Sequence, residues 1–199
     1  MNAESISLKN TEQDIQLESK NIILNSLSYR DIPSILEYAN NPKVSDNLLH
    51  LPFPYYEKDA IFWINTANEG RKTGETYKFA IRSKADKNLN FVGGIGLMID
   101  KNHNKAEIGY WLGEPFWGNG FVSEAVSLII KFGFETLELN KIFATHFIGN
   151  PASGKVMIKN NMIKEAHIKD HYKKGDKYLD IFQYRLTREE YLIQSKTKR

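Results

Sequence analysis

The chain of 199 residues contains no cysteine. That excludes a disulfide framework, a thiolate metal site and a cysteine nucleophile. No apolar run approaches the roughly 18 residues of a membrane span. The opening MNAESISLKNTEQD has neither the basic nor the apolar region of a signal peptide, so a cytoplasmic protein is expected. Charge of one sign is also scarce, with 27 Lys and Arg against 24 Asp and Glu. Much of the small excess falls on Lys173, Lys174, Lys177 and the terminal Lys196-Thr197-Lys198-Arg199. Without a stripe of arginines and aromatics this speaks against nucleic acid as a partner, and suits a polyphosphate-bearing ligand.

What is present is enough apolar material for one core, 41% hydrophobic and 12% aromatic, with no shift in composition to mark a second. The expected organisation is a flexible leader over 1–17, a single domain over 18–190 and a basic tail over 191–199. Ile22, Leu24 and Leu27 predict a first strand, with Ser28 capping a helix over 29–40 that Pro42 closes. The proline-punctuated segment 47–54 either packs over the core or walls a pocket. A second helix follows over 56–71, then strands over 77–81, 91–99 and 107–112 as an antiparallel meander. A patterned helix from Phe121, a strand over 141–148 and a helix opened by Asn150-Pro151 come next. Strands over 163–172 and 178–186 close the domain through a lysine-rich turn. The mixture predicts an α+β, or mixed α/β, fold.

The segment AEIGYWLGEPFWGNGFVSEA, from Ala106 to Ala125, organises the rest. A strand runs through a turn made of Gly118, Asn119 and Gly120 into a helix, which brings unpaired N–H groups and a helix dipole to one point. Glycine suits this turn because a Cβ would hold an anion off the backbone and because positive φ is easy only for glycine. Gly109 and Gly113 thin the strand while Trp111, Phe116 and Trp117 crowd the turn, so the stretch reads as a slot for a long thin ligand with a phosphate-rich end.

These residues, with Asn150-Pro151-Ala152-Ser153 and the early Leu51-Pro52-Phe53-Pro54-Tyr55, resemble the GCN5-related N-acetyltransferases, in particular the RimJ/RimL type. The resemblance spans about residues 18–187. Gly118 and Gly120 match the acyl-CoA signature Q/R-x-x-G-x-G/A, whereas Pro115 departs from its first position. It implies a mostly antiparallel sheet of about six to seven strands, splayed at the fourth and fifth, with about four helices. It also implies acetyl-CoA as cofactor, held by Tyr110, Trp111, Leu112, Trp117, Gly118, Asn119, Gly120, Phe121, Val122, Ser123, Asn150 and Ser153. The acceptor is a primary amine on a small molecule or peptide, a ribosomal or other protein N-terminus among them, and the protein a monomer or homodimer.

Direct transfer from a thioester to an amine needs a polarised carbonyl, a neutral amine and a proton for the leaving sulfur, but no protein nucleophile. Backbone groups beside Gly109 to Leu112 would serve the carbonyl. Ser153 is the candidate acid. Glu107 on the slot-lining strand and His171 near the final hairpin are rival candidate bases. His167 and His171 lack a carboxylate at a partner position, so no metal is expected. Gly149 to Lys155 fits G-x-x-x-x-G-K, but Val156 stands where a nucleotide-binding loop needs Ser or Thr and Pro151 removes a donor. The alternative reading is an acyl-CoA-binding or regulatory protein that has lost turnover.

Overall fold

A computed structural model describes residues 6–8, 15–85 and 88–197. Strands β1 (Ile6–Leu8), β2 (Ile15–Glu18) and β3 (Ile22–Asn25) lead into helices α1 (Ile32–Ala39), α2 (Pro42–Ser45) and α3 (Glu57–Thr73). Then come β4 (Thr76–Ser83), β5 (Phe91–Asp100), β6 (Lys105–Leu112), α4 (Phe121–Glu135), β7 (Lys141–Phe147) and α5 (Pro151–Lys159). A long hairpin, β8 (Ile163–Lys174) and β9 (Lys177–Thr187), precedes α6 (Arg188–Thr197). Among the described residues nine strands form one sheet in the order β1-β2-β3-β4-β5-β6-β7-β9-β8. All neighbours are antiparallel except β6 and β7. The class is the expected mixed α/β, with more strands and helices than anticipated.

The extra elements lie at the ends. Ile15–Glu18, all but Glu18 of it in the expected flexible leader, is a sheet strand whose Leu17 is fully buried and paired with Leu24. Four residues hold too few repeats of a period of two to stand out among polar neighbours. The rest of the leader, apart from β1, lies outside the described residues. Much of the expected basic tail is helix α6, docked by Tyr191, whose ring stacks on Phe134 at 4.8 Å and whose hydroxyl donates to Glu135 at 2.6 Å.

At the first helix, Ser28 and Asp31 cap a single 3-10 turn reciprocally, and α1 proper starts at Ile32 with Pro33 in its first turn, where a missing N–H costs nothing. Pro42 likewise begins α2, behind Asn41, whose side chain accepts from the Lys43 N–H at 2.9 Å. Buried Asp31 also takes a bidentate grip from Arg82, at 2.8 and 2.9 Å, pinning the α1 entry to β4.

Helices cover both faces of the sheet. Val126, Ile129 and Phe132 of α4 pack with Phe79, Leu97 and Ile108, while Ile35, Ala60 and Ile64 of α1 and α3 pack with Ala80 and Phe91. Burying an apolar side chain of this size contributes about 1.5–3 kcal/mol. The feature that positions the site is local. Pairing of β6 with β7 stops at Ile108 and Ala144, although both strands continue.

Candidate active site

Where β6 and β7 part, a cavity of about 870 Å³ opens. Its walls are Ile108 to Leu112 on one side, Thr145 to Phe147 on the other, the first turns of α4 and α5, and residues 47–50. Backbone N–H and C=O groups on the two separated edges lack the ladder partner that closed strands provide. An extended ligand carrying amides satisfies them.

At one end stands the glycine turn. Gly118 and Gly120 both have φ of +80°, a value that disfavours any residue with a Cβ. A Cβ built on either meets no atom within 4 Å, so open space lies in front of the backbone. No side chain caps α4, and its first N–H groups point out with the positive end of the dipole. The donor set therefore fits the phosphate end of a cofactor. Glu124 in the same first turn is drawn aside by Ser19 and Asn21, which hold both its oxygens at 2.5–3.1 Å. Asn160 at the end of α5 donates to the carbonyl and hydroxyl of Ser123, tying the two helices together.

At the other end Ser153 is 8% exposed, in the first turn of α5, and Asn150 caps that helix by accepting from the Ser153 N–H at 3.2 Å. The Ser153 Oγ lies 2.5 Å from the Tyr110 hydroxyl. Burial pushes the Tyr110 hydroxyl up to about 12 against the effect of that bond, so it keeps its proton at neutral pH. Beside them His146, 8% exposed, directs Nδ1 at the Phe147 carbonyl at 2.8 Å and leaves Nε2 buried with no partner.

Glu107 lines the cavity from the opposite face of β6, since residues 107 and 110 differ by an odd number along the strand. It accepts from Thr145 at 3.0 Å. Burial raises its carboxyl above the usual range, partly countered by Thr145 and by the charges of His171 and His50. The cover over this end is fastened by Lys174 of the hairpin, which donates to the carbonyls of Ser45 and Leu48 at 2.6 and 3.0 Å.

Of the residues singled out from sequence, Glu107, Tyr110, Trp111, Leu112, Trp117, Gly118, Gly120, Phe121, Val122, Ser123, Asn150 and Ser153 all line the cavity. Asn119 does not, because its amide turns back to donate to the Phe116 carbonyl at 3.1 Å. His171 does not either. It is exposed against Tyr172, and Tyr172 takes the lining position because it pairs with Leu179, two residues from the cavity-lining Ile181 and so on the same face of the sheet. Tyr55, Trp63 and Tyr77 pack in or against the core, and Phe53 and Tyr56 are exposed. Sequence reasoning missed Lys78, Thr145, His146 and Tyr172. The even spacing of Phe143, Thr145 and Phe147 puts Thr145 on one face of β7 with them, and the sequence carries no signal that this face meets Glu107.

Among the described residues no helix is long and apolar enough to cross a membrane, and no cluster of three potential metal ligands occurs. The family model for the acetyltransferase (GNAT) domain matches residues 21–163. An uncharacterized N-acetyltransferase p20 of Bacillus licheniformis is 31% identical over 88% of this chain and 97% of its own. A ribosomal-protein-serine acetyltransferase of Escherichia coli is 33% identical over 43% of this chain and 48% of its own. The solved structure of RimL, a ribosomal L7/L12 alpha-N-protein acetyltransferase in complex with coenzyme A, is similar in fold, with TM-score 0.78 and 17% identity, over 86% of this chain and 97% of that one. The chain belongs to the GNAT acetyltransferases, with relatives of the RimJ/RimL type, and is an N-acetyltransferase.

Proposed function

We propose that the protein moves an acetyl group from acetyl-CoA directly to a primary amine, with both substrates bound at once. The observation that carries this is a single cavity with an uncapped glycine-turn helix at one end and the Tyr110–Ser153 pair and Glu107 at the other. Bound acetyl-CoA supplies the activated acyl group as a thioester. The turn from Gly118 through Ser123 holds its pyrophosphate by backbone N–H groups, and the facing edges of β6 and β7 take its amide arm.

Glu107 accepts a proton from the acceptor ammonium, which frees the nitrogen lone pair for attack on the acetyl carbon. As the carbon–nitrogen bond forms and the carbon–sulfur bond breaks, Ser153 donates a proton to sulfur and takes back the second proton of the attacking nitrogen, while the Tyr110 hydroxyl, 2.5 Å away, keeps its own proton and holds the Ser153 Oγ in place. Burial favours the protonated form of Glu107, which brings its pKa toward that of a base useful near neutrality. The names of the ribosomal-protein relatives make a protein N-terminal α-amino group the first acceptor to test.

The test is thiol release from acetyl-CoA across N-terminal peptides and small amines, with Ser153→Ala and Glu107→Gln beside the parent. Release that requires an acceptor, with kcat lowered in both variants, supports transfer. Tight acetyl-CoA binding without release on any acceptor supports the non-catalytic reading instead.

A further inference from the structure

The acceptor end of the cavity contains a cation that transfer chemistry does not use. Lys78 of β4 pairs with Gly96 of β5, and Gly96 pairs with Gly109 of β6. Paired residues share a sheet face, and Glu107 lies two residues from Gly109, so Lys78 and Glu107 belong to the same face. Both line the cavity. The lysine stem crosses Gly96, where a Cβ would come within 3.0 Å of Lys78 Cγ. Over Gly109 the nearest side chain is Met98, whose Cε would lie 3.4 Å from a Cβ there, so the path from Lys78 toward Glu107 runs past one flexible side chain.

Among the described residues the Lys78 ammonium has no hydrogen bond, ion pair or ring contact; only its backbone carbonyl is used, by Arg71. Glu107 does not neutralise it, since Thr145, His171 and His50 are the groups that act on that carboxyl. The lysine's pKa is lowered by burial alone. A half-buried ammonium without a counter-charge is a cost to the folded protein that an anionic ligand group offsets. The ordinary acceptor is itself an ammonium before it loses a proton, so a bare cation beside it repels plain amines and polyamines.

We infer that Lys78 selects acceptors in which the reacting amine shares a molecule with an anionic group, a carboxylate or phosphate, that meets the Lys78 ammonium while the amine faces Glu107. This rests on the transfer reading above. The same chemistry is offered by an acidic residue near a protein N-terminus and by a small amino acid or aminoalkyl phosphate.

The experiment compares kcat/KM for two matched sets on the parent, Lys78→Met and Lys78→Glu. One set is tetrapeptide amides beginning Ser-Asp, Ser-Asn and Ser-Lys; the other is phosphoethanolamine, ethanolamine and spermidine. Methionine keeps the stem over Gly96, and a melting curve verifies folding. The parent prefers the anionic member of at least one set by about tenfold, mainly through KM, as a charge pair in a partly desolvated site should. Whichever set shows it identifies the source. Lys78→Met brings the anionic and neutral members within about threefold, and Lys78→Glu inverts the order toward the cationic member. Equal parent rates on all three members of both sets overturn the inference, as does a Lys78→Met defect confined to kcat and equal on every acceptor. If acetyl-CoA binds and no acceptor in either set is consumed, the transfer reading fails first. The Lys78 inference is then read from titration of phosphoethanolamine into the coenzyme A complex, where loss of binding in Lys78→Met supports it and unchanged or absent binding in the parent refutes it.

Discussion

Replacing Gly154 by alanine links core packing to the reacting end of the cavity. The new Cβ would lie 2.8 Å from His146 Nε2 and 3.2 Å from Cε1, the nearer about 0.6 Å short of the 3.4 Å at which ordinary contact begins. The imidazole cannot swing away freely. Its Nδ1 is bonded to the Phe147 carbonyl at 2.8 Å, and its ring stacks on Tyr184 and meets Phe182 edge-on, both at 5.7 Å. The first turn of α5 must give instead, and the preceding residue is Ser153, 2.5 Å from the Tyr110 hydroxyl. Overpacking costs about 1–3 kcal/mol, and the better helix propensity of alanine returns about 1 kcal/mol. The net loss of about 1 kcal/mol lowers Tm by about 2–4 °C for a chain of this size. Misplacement of Ser153 by a fraction of an ångström lowers kcat by about tenfold, while KM for acetyl-CoA, governed by the α4 turn, stays within about twofold of the parent. Calorimetry and steady-state kinetics on one preparation read both. A variant with the lowered Tm and an unaltered kcat refutes the dependence of transfer on the Ser153–Tyr110 contact.

Three further outcomes follow from the same geometry. Gly118→Ala finds open space for its Cβ but keeps φ at +80°, so it costs about 1–2 kcal/mol of stability and, by standing in the cradle, weakens coenzyme A binding by about tenfold in calorimetric titration. Asp31→Ala strands the Arg82 guanidinium among buried groups and costs about 3–5 kcal/mol in urea unfolding. The raised pKa of Glu107 places the acid limb of its kcat/KM profile above the usual glutamate range, because the base works only when ionised. The same shift means the folded state holds this proton longer than the unfolded one. Its stabilising contribution is therefore present at low pH and lost as pH rises through the raised pKa, and Glu107→Gln removes both the limb and that slope.

The cradle was legible because its physics is local. Gly118 and Gly120 signal positive φ, the patterned run after them signals a helix, and together they specify an anion site before any tertiary contact is known. Asn150 and Ser153 were legible for the same reason, as a cap and a first-turn serine. What could not be read depends on contacts distant in sequence. Tyr110 and Ser153 are 43 residues apart, and only the stop in β6–β7 pairing brings them together. The register of β8 on β9 sets Tyr172 rather than His171 at the cavity wall, and the irregularities in that pairing, over 164–166 and 168–172, leave no mark in an alternating pattern. Lys78 was hidden as an ordinary strand lysine until its pairing with Gly96, and that of Gly96 with Gly109, put it on the Glu107 face of the sheet.

The most direct test of the account is a crystal structure of the protein with acetyl-CoA bound. The account predicts pyrophosphate oxygens on the N–H groups of the turn from Gly118 to Ser123, the amide arm between β6 and β7, and the thioester sulfur within hydrogen-bond reach of Ser153 Oγ. Pyrophosphate bound away from that turn, or a sulfur beyond reach of Ser153 with the cofactor fully ordered, would contradict it.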